Sequence, residues 1–419
     1  MSDLSMASSG DRLRGSYGGE GGGLFSLAMT TGFLTLITLG IYRFWAKTRI
    51  RRYMWSATAP GGAPFEYTGT GLEKFLGFLV AVVVLALYLG VIQLLLFFVG
   101  LNAFEGGTDP EAIVRQTIAT NLTLLAVLPL VFFAQYRGRR YLLSRTRWRG
   151  IRFGAEAGAG GYVLRALGYT ILTIISLGLL APLMSYKLEK YMVDRTWYGD
   201  TKFEQGGRWT MLYGSLLHIF ISLAIIIAMS MVGVASDAPG LAVLGAVVGG
   251  LWFYFGIFYY QVDSFRRLAQ HKKVGDYIGF DAEPSVWTVI GHTLLGGLAA
   301  GAAFFAITMV GLFIGSAVGF SFGGGLDFDA LSDLEDFNPA MSPTGGSVLF
   351  LVVIFTYLLG LVVAGALVVV LIQQPIIAHY VRTTTILNAS QLNNIHQRDG
   401  DEMVDAEGFA DALDVGGGF

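Results

Sequence analysis

Apolar residues in this chain gather into eight long runs, at about 24–46, 73–101, 113–135, 162–186, 210–234, 241–262, 286–320 and 347–378. A run of some 18 residues is enough to cross the hydrocarbon core as a helix. The polar stretches between the runs differ in charge. Lys and Arg crowd those after the first (Lys47–Arg52), third (Arg137–Arg152), fourth (Lys187–Arg208) and sixth (Arg266–Lys273) runs, and Arg382 follows the eighth. Stretches 102–112, 235–240 and 321–346 carry no Lys or Arg. Basic loops stay in the cytoplasm. Run four begins and ends in basic loops, so eight full crossings would leave one basic loop outside.

An internal repeat removes the conflict. Residues Thr35–Met54 (TLITLGIYRFWAKTRIRRYM) and Thr173–Met192 (TIISLGLLAPLMSYKLEKYM) align at a constant offset of 138 residues, each passing from an apolar stretch through a Leu-Gly step into a cationic, Tyr-rich segment. If runs one and four each enter and leave on one side, turning near Gly40 and Gly178, every basic loop is cytoplasmic. The expected fold is an all-α polytopic membrane protein with six transmembrane helices and two re-entrant or interfacial helical hairpins; eight transmembrane helices are the alternative. Both termini are then cytoplasmic.

The basic stretches share a second pattern. Tyr53…Phe65, Tyr141…Phe153, Tyr191…Phe203 and His271…Phe280 each place aromatic and β-branched residues around a Gly-containing turn and end on Phe. These are β-hairpin signals, so small cytoplasmic β-hairpins are expected. The domain plan is a Gly/Ser-rich disordered tail over 1–23, a membrane domain over 24–390 with repeat units of about 24–135, 162–262 and 263–390, and an acidic disordered tail over 391–419. No secretory signal peptide is apparent.

The Leu39-Gly40-Ile41-Tyr42 step, Trp45-Ala46-Lys47, Phe65-Glu66-Tyr67 before Gly69 and Gly71, Leu177-Gly178-Leu179, Arg195, Tyr198-Gly199-Asp200 and Phe203 resemble the YjgN family of bacterial inner-membrane proteins. The likeness runs from about 20 to about 390. It departs where Ala181-Pro182-Leu183 stand in place of Arg43-Phe44-Trp45. The resemblance implies an inner-membrane location and supplies no activity, substrate or catalytic residue.

Composition agrees: 54% of residues are hydrophobic and 14% charged, against about 25% charged in soluble domains. The chain has no cysteine, and its five histidines stand without metal-ligand spacing. Enzyme motifs are absent, so neither an enzyme nor a cofactor is expected. The basic stretch offers Arg139, Arg140, Arg145, Arg147, Trp148 and Arg149 as contacts for anionic lipid headgroups; topology anchoring is the plainer reading. Gly311, Gly315 and Gly319 form a small-residue face that either packs within the chain or meets a second copy or a membrane partner. Gln93, Gln116, Asn121 and His292 either line a cavity or make ordinary interhelical hydrogen bonds. The expected function is a non-enzymatic scaffold that binds partners or lipids. A transporter or channel for an apolar or lipid-like substrate is the alternative. Nucleic acid is not an expected ligand.

Overall fold

The computed structural model describes residues 11–104, 106, 109–321 and 345–398. The acidic stretch from 399 and most of the 321–346 loop lie outside the described residues. Among those described, six helices are long and apolar enough to cross a membrane: Gly71–Phe98, Pro110–Ser144, Trp209–Ala235, Pro239–Gln270, Val286–Val318 and Phe350–Arg382. The chain divides into two compact units, one of Met1–Gly18, Met54–Val286 and His379–Phe419, the other of Gly19–Tyr53 and Trp287–Ala378.

In the first unit, helices α3 (Gly71–Phe98) and α4 (Pro110–Ser144) have caps that are visible in the sequence. The Thr70 hydroxyl accepts from the Glu73 N–H at 3.2 Å, and the Asp109 carboxylate accepts from Ala112 N–H at 3.2 Å with Pro110 at the first helical position. Two shorter helices follow, α5 (Ala159–Ile175) and α6 (Ala181–Val193), and then α7 (Tyr213–Ala235) and α8 (Pro239–Gln270). α7 and α8 pack closely because α8 presents glycines: a Cβ on Gly245 would meet Met229, and one on Gly249 would meet Ile226.

The expectation of an all-α chain carrying small β-hairpins needs correction in its strands. The unit contains one nine-stranded antiparallel sheet in the order β1-β9-β8-β7-β6-β5-β4-β3-β2. Its strands are β1 (Arg12–Arg14), β2 (Phe65–Tyr67), β3 (Thr146–Trp148), β4 (Ile151–Ala155), β5 (Thr196–Tyr198), β6 (Thr201–Gln205), β7 (Lys272–Val274), β8 (Ile278–Ala282) and β9 (Thr384–Leu387). Three of the four expected hairpins form. At the first site a helix runs on to Ala57, and only β2 remains as a strand. The supposed tail over 1–23 also carries structure: β1 pairs with β9, Tyr17 bridges Thr58, and a helix starts at Gly21.

The strand order follows the sequence from β2 to β9. Tight turns join β3 to β4 through Arg149 (φ +51°) and Gly150 (φ +78°), and β5 to β6 through Gly199 (φ +57°). A third tight turn joins β7 to β8 through Gly275 (φ +59°), and helical pairs make three further connections: α3–α4 joins β2 to β3, α5–α6 joins β4 to β5, and α7–α8 joins β6 to β7. Antiparallel neighbours meet at the same end, so each pair returns to the edge it left. The α5–α6 pair turns where Leu177 (φ +50°) and Gly178 (φ +86°) adopt left-handed backbone.

In the second unit, α1 (Gly21–Ile37) turns into α2 (Arg43–Ala57) through Leu39 (φ +50°) and Gly40 (φ +92°), the same turn one repeat earlier. The Tyr53 hydroxyl donates to the Glu20 carbonyl at 2.7 Å and accepts from its N–H, which ties the two helices at their open end. Gly32 of α1 lies against Val362 of α10 (Gly345–Val368). Helix α9 (Val286–Ser321) meets α10 where Phe304 and Tyr357 stack edge-on with centroids 5.4 Å apart. Pro375 lacks an N–H for the carbonyl four residues back, and a π-turn over Val369–Gln373 precedes α11 (Gln374–Arg382) at that point.

Candidate functional site

Strand pairing sorts the sheet's side chains onto two faces. The four phenylalanines that close the repeated pattern fall on one of them. Phe65 and Phe153 have ring centroids 6.1 Å apart, Phe153 and Phe203 6.4 Å, and Phe203 and Phe280 6.4 Å, a ladder across the sheet. Trp148 and Tyr198 are buried among them, and Tyr198 sits 4.7 Å from Phe153. The Trp148 indole N–H donates to the Ala63 carbonyl at 2.9 Å, and the Tyr198 hydroxyl donates to the Trp148 carbonyl at 3.0 Å. Burial pushes the Tyr198 phenol up to about 12.

Residues 389–398 lie across this aromatic face. Leu392 and Ile395 are buried in it. The expected disordered tail over 391–419 is therefore corrected for its first eight residues. Gln397 accepts from the Arg152 N–H at 2.8 Å, and the His396 carbonyl accepts from Asp200 N–H at 2.9 Å.

The other face is charged. By register Arg12, Arg14, Arg147, Arg152, Lys202 and Lys273 share it with Glu66, Glu204, Asp281 and Trp197, so six cations stand against three carboxylates. Arg12, Arg14, Lys202 and Lys273 are exposed. Glu66 lies opposite Arg147 and Glu204 opposite Lys273, favourable cross-strand pairs. Lys202 pairs with Glu156 at 2.8 Å, and the same carboxylate accepts from the Trp197 indole. Burial opposes ionisation of Glu156, but these two donors outweigh it and hold the carboxyl below its ordinary value.

Where helices meet strands, ion pairs absorb much of the basic sequence. Arg139 and Lys272 both reach Glu189, each at 3.3 Å or less, and so join α4, α6 and β7. Burial alone would raise the Glu189 carboxyl; the two cations outweigh it and hold it near about 2. Arg145 pairs with Glu73 at 3.2 Å, and Arg140 donates to the Ala155 carbonyl. Asp263, 4% exposed at its side chain, accepts from Ser215, Arg266 and Arg267 at 2.6–2.7 Å. Nothing local in the sequence marks Glu189 or Asp263 for this role. The one local signal was the Thr70-x-x-Glu73 cap.

Of the six residues expected to contact headgroups, Arg139, Arg140 and Arg145 thus hold protein partners, and Trp148 belongs to the sheet core. Arg149 is exposed at a hairpin turn, where it donates to Asn393 at 3.2 Å, and Arg147 lies on the charged face. Gly311 packs within the chain: a Cβ there would collide with Thr356 of α10. Gly315 is buried on the same helix, and the surroundings of Gly319 lie outside the described residues. The polar set does not converge. Gln93 donates to Thr123 across α3 and α4 at 2.9 Å, Gln116 to the Ala103 carbonyl at 3.4 Å, and exposed Asn121 to Thr117 of its own helix. His292 belongs to the other unit. Among the described residues no three His, Asp or Glu gather in a way that could hold a metal.

The ion-pair junction makes a testable claim. Glu189→Gln should lower stability by about 1–2 kcal/mol, because two cations lose their partner. Glu189 is depressed in the folded state, so its contribution is full above pH 4.5, its unfolded value, and fades as pH falls toward about 2. Thermal melts of the wild type and Glu189→Gln should therefore differ at pH 7 and converge toward pH 2.

Six spanning-length helices joined to a charged sheet define a polytopic membrane protein. The chain matches the family of bacterial proteins of unknown function DUF898 over residues 12–300 and belongs to it. It is similar to inner membrane protein YjgN of Salmonella typhimurium, 27% identical over 140 residues, which is 33% of this chain and 30% of that protein. It is also 27% identical over 162 residues to inner membrane protein YjgN of Escherichia coli K12, 39% of this chain and 36% of that protein. The matched stretch thus spans about a third of the relatives' length. With these relatives and its six apolar helices, the chain is a bacterial inner-membrane protein. No solved structure matches it.

Proposed function

We propose that this protein is a membrane scaffold whose sheet lies at the cytoplasmic surface and binds anionic phospholipid headgroups on its charged face. The observation that carries the reading is the sorting of the sheet: the aromatic face is covered by the chain's own residues 389–398, and the cation-rich face is left exposed. Position supports it. Strands β3 and β7 start within two residues of the ends of α4 and α8, which keeps the sheet near headgroup depth if those two helices span. Basic loops favour the cytoplasm for that side. On this reading α1–α2 and α5–α6, both short of spanning length, are the re-entrant or interfacial hairpins, and both termini are cytoplasmic.

Each cation near an anionic surface contributes about 1 kcal/mol. The double variant Arg147→Gln, Lys273→Gln should therefore weaken phosphatidylglycerol binding by about thirtyfold. The comparison is mass-spectrometric titration of detergent-purified protein with phosphatidylglycerol and phosphatidylcholine. Equal affinity of wild type and variant for phosphatidylglycerol, or equal affinity of wild type for the two lipids, would sink the reading.

A further inference from the structure

The route of residues 389–398 leads from one face of the sheet to the other. Leu392 and Ile395 are buried on the aromatic face. His396 then passes the β5–β6 turn, where its N–H donates to the Asp200 carboxylate at 3.3 Å and its carbonyl accepts from the Asp200 N–H. The passage needs glycine at 199: a Cβ there would collide with the His396 carbonyl, and φ is +57°. Two residues later the Arg398 guanidinium stands 5.0 Å from the Trp197 ring centroid, and Trp197 belongs to the charged face. The Arg398 side chain thus reaches the cation-rich face.

What comes next in the sequence is acidic: Asp399, Asp401, Glu402, Asp405, Glu407, Asp411 and Asp414, with no Lys or Arg after Arg398. We propose that this acidic segment occupies the cation-rich face of its own sheet and competes there with anionic headgroups. The proposal rests on the lipid-binding reading of that face. The reach is sufficient. Glu402 is four residues past Arg398, at most about 14 Å of extended chain. Lys202 lies on the neighbouring strand and Lys273 one strand beyond, about 5 and 10 Å from Trp197. Several carboxylates facing several cations give an attraction that salt screens within about 10 Å at 0.1 M. The segment would then act as an electrostatic plug, displaced when anionic lipid is abundant.

Two measurements separate the plug from the lipid reading. In the first, full-length protein and a chain stopped after Arg398 are titrated with phosphatidylglycerol at low salt and at 0.5 M salt. The plug predicts that the shortened chain binds about tenfold more tightly at low salt, with the difference lost at high salt. Equal, measurable binding overturns the plug and leaves the lipid reading standing. No binding by either chain removes the lipid reading, and the second measurement then decides the plug on its own. This protein has no cysteine, so Glu402→Cys can be paired with Glu204→Cys on the charged face or with Tyr277→Cys at the exposed β7–β8 turn and treated with a short bis-maleimide. The plug predicts preferential cross-linking to position 204, lost when Lys202 and Lys273 become Glu. Equal cross-linking at 204 and 277 overturns it.

Discussion

Trp148→Ala should destabilise the sheet by about 3–5 kcal/mol, the cost of removing a large buried aromatic. Trp148 is 4% exposed, stacks on Phe65 with centroids 5.6 Å apart and lies 5.8 Å from Tyr198. It also satisfies the Ala63 carbonyl and supplies its own carbonyl to Tyr198. The loss should propagate to residues 389–398, since Leu392 and Ile395 pack in the same cluster. Limited proteolysis in detergent should cut this segment sooner in Trp148→Ala than in wild type. Trp148→Phe keeps the ring contacts and should cost about half as much. An interfacial tryptophan held by headgroups would give the opposite pattern, with near-wild-type stability and weakened membrane contact.

Gly311→Ala should be the most damaging single methyl in the second unit. The added Cβ would collide with Thr356, where α9 and α10 approach closely. Overpacking of this kind costs about 1–3 kcal/mol, and the separation of the two helices should bring the cost to the upper end. Thr356→Gly in the same chain should recover most of it. Gly297→Ala is the control: nothing lies within 4 Å of a Cβ there, so the change should be neutral or stabilise by about 0.5–1 kcal/mol. Both comparisons can be read from thermal melts of purified protein. A Gly311 variant as stable as wild type but altered in oligomeric state would instead place Gly311 at an interface between copies.

The sequence carried much of this architecture where one segment suffices to set the structure. Six spanning helices follow from apolar run length only together with the charge of the loops and the internal repeat, since run length alone gives eight. The two Leu-Gly turns follow from the repeat, and in both copies the Leu and the Gly adopt positive φ. The recurrent Phe marked the ladder, because side chains at equivalent positions of neighbouring strands must meet. Features that join distant segments were hidden. β1 and β9 have three and four residues, too few to show a period, and they pair across more than 370 positions. The basic stretch after run three reads as solvent- or lipid-facing because charge alone says nothing about partners. Its partners Glu73 and Glu189 lie in other helices, and Glu189 is hidden within a run containing Lys187 and Lys190. The first β-hairpin failed because the helix simply continues through Ala57 where the other copies turn to strand.

The charged sheet is proposed to lie at the cytoplasmic surface, to which every helical pair of its unit would return. Single cysteines at Glu66 on β2, Lys202 on β6 and Ser236 at the α7–α8 turn, all exposed positions, test this in intact cells with a membrane-impermeant maleimide. Labelling of position 236 alone, with 66 and 202 reacting only after the membrane is opened, is the expected result. Labelling of 202 from outside while 66 stays protected would contradict it, because β2 and β6 could not then belong to one sheet.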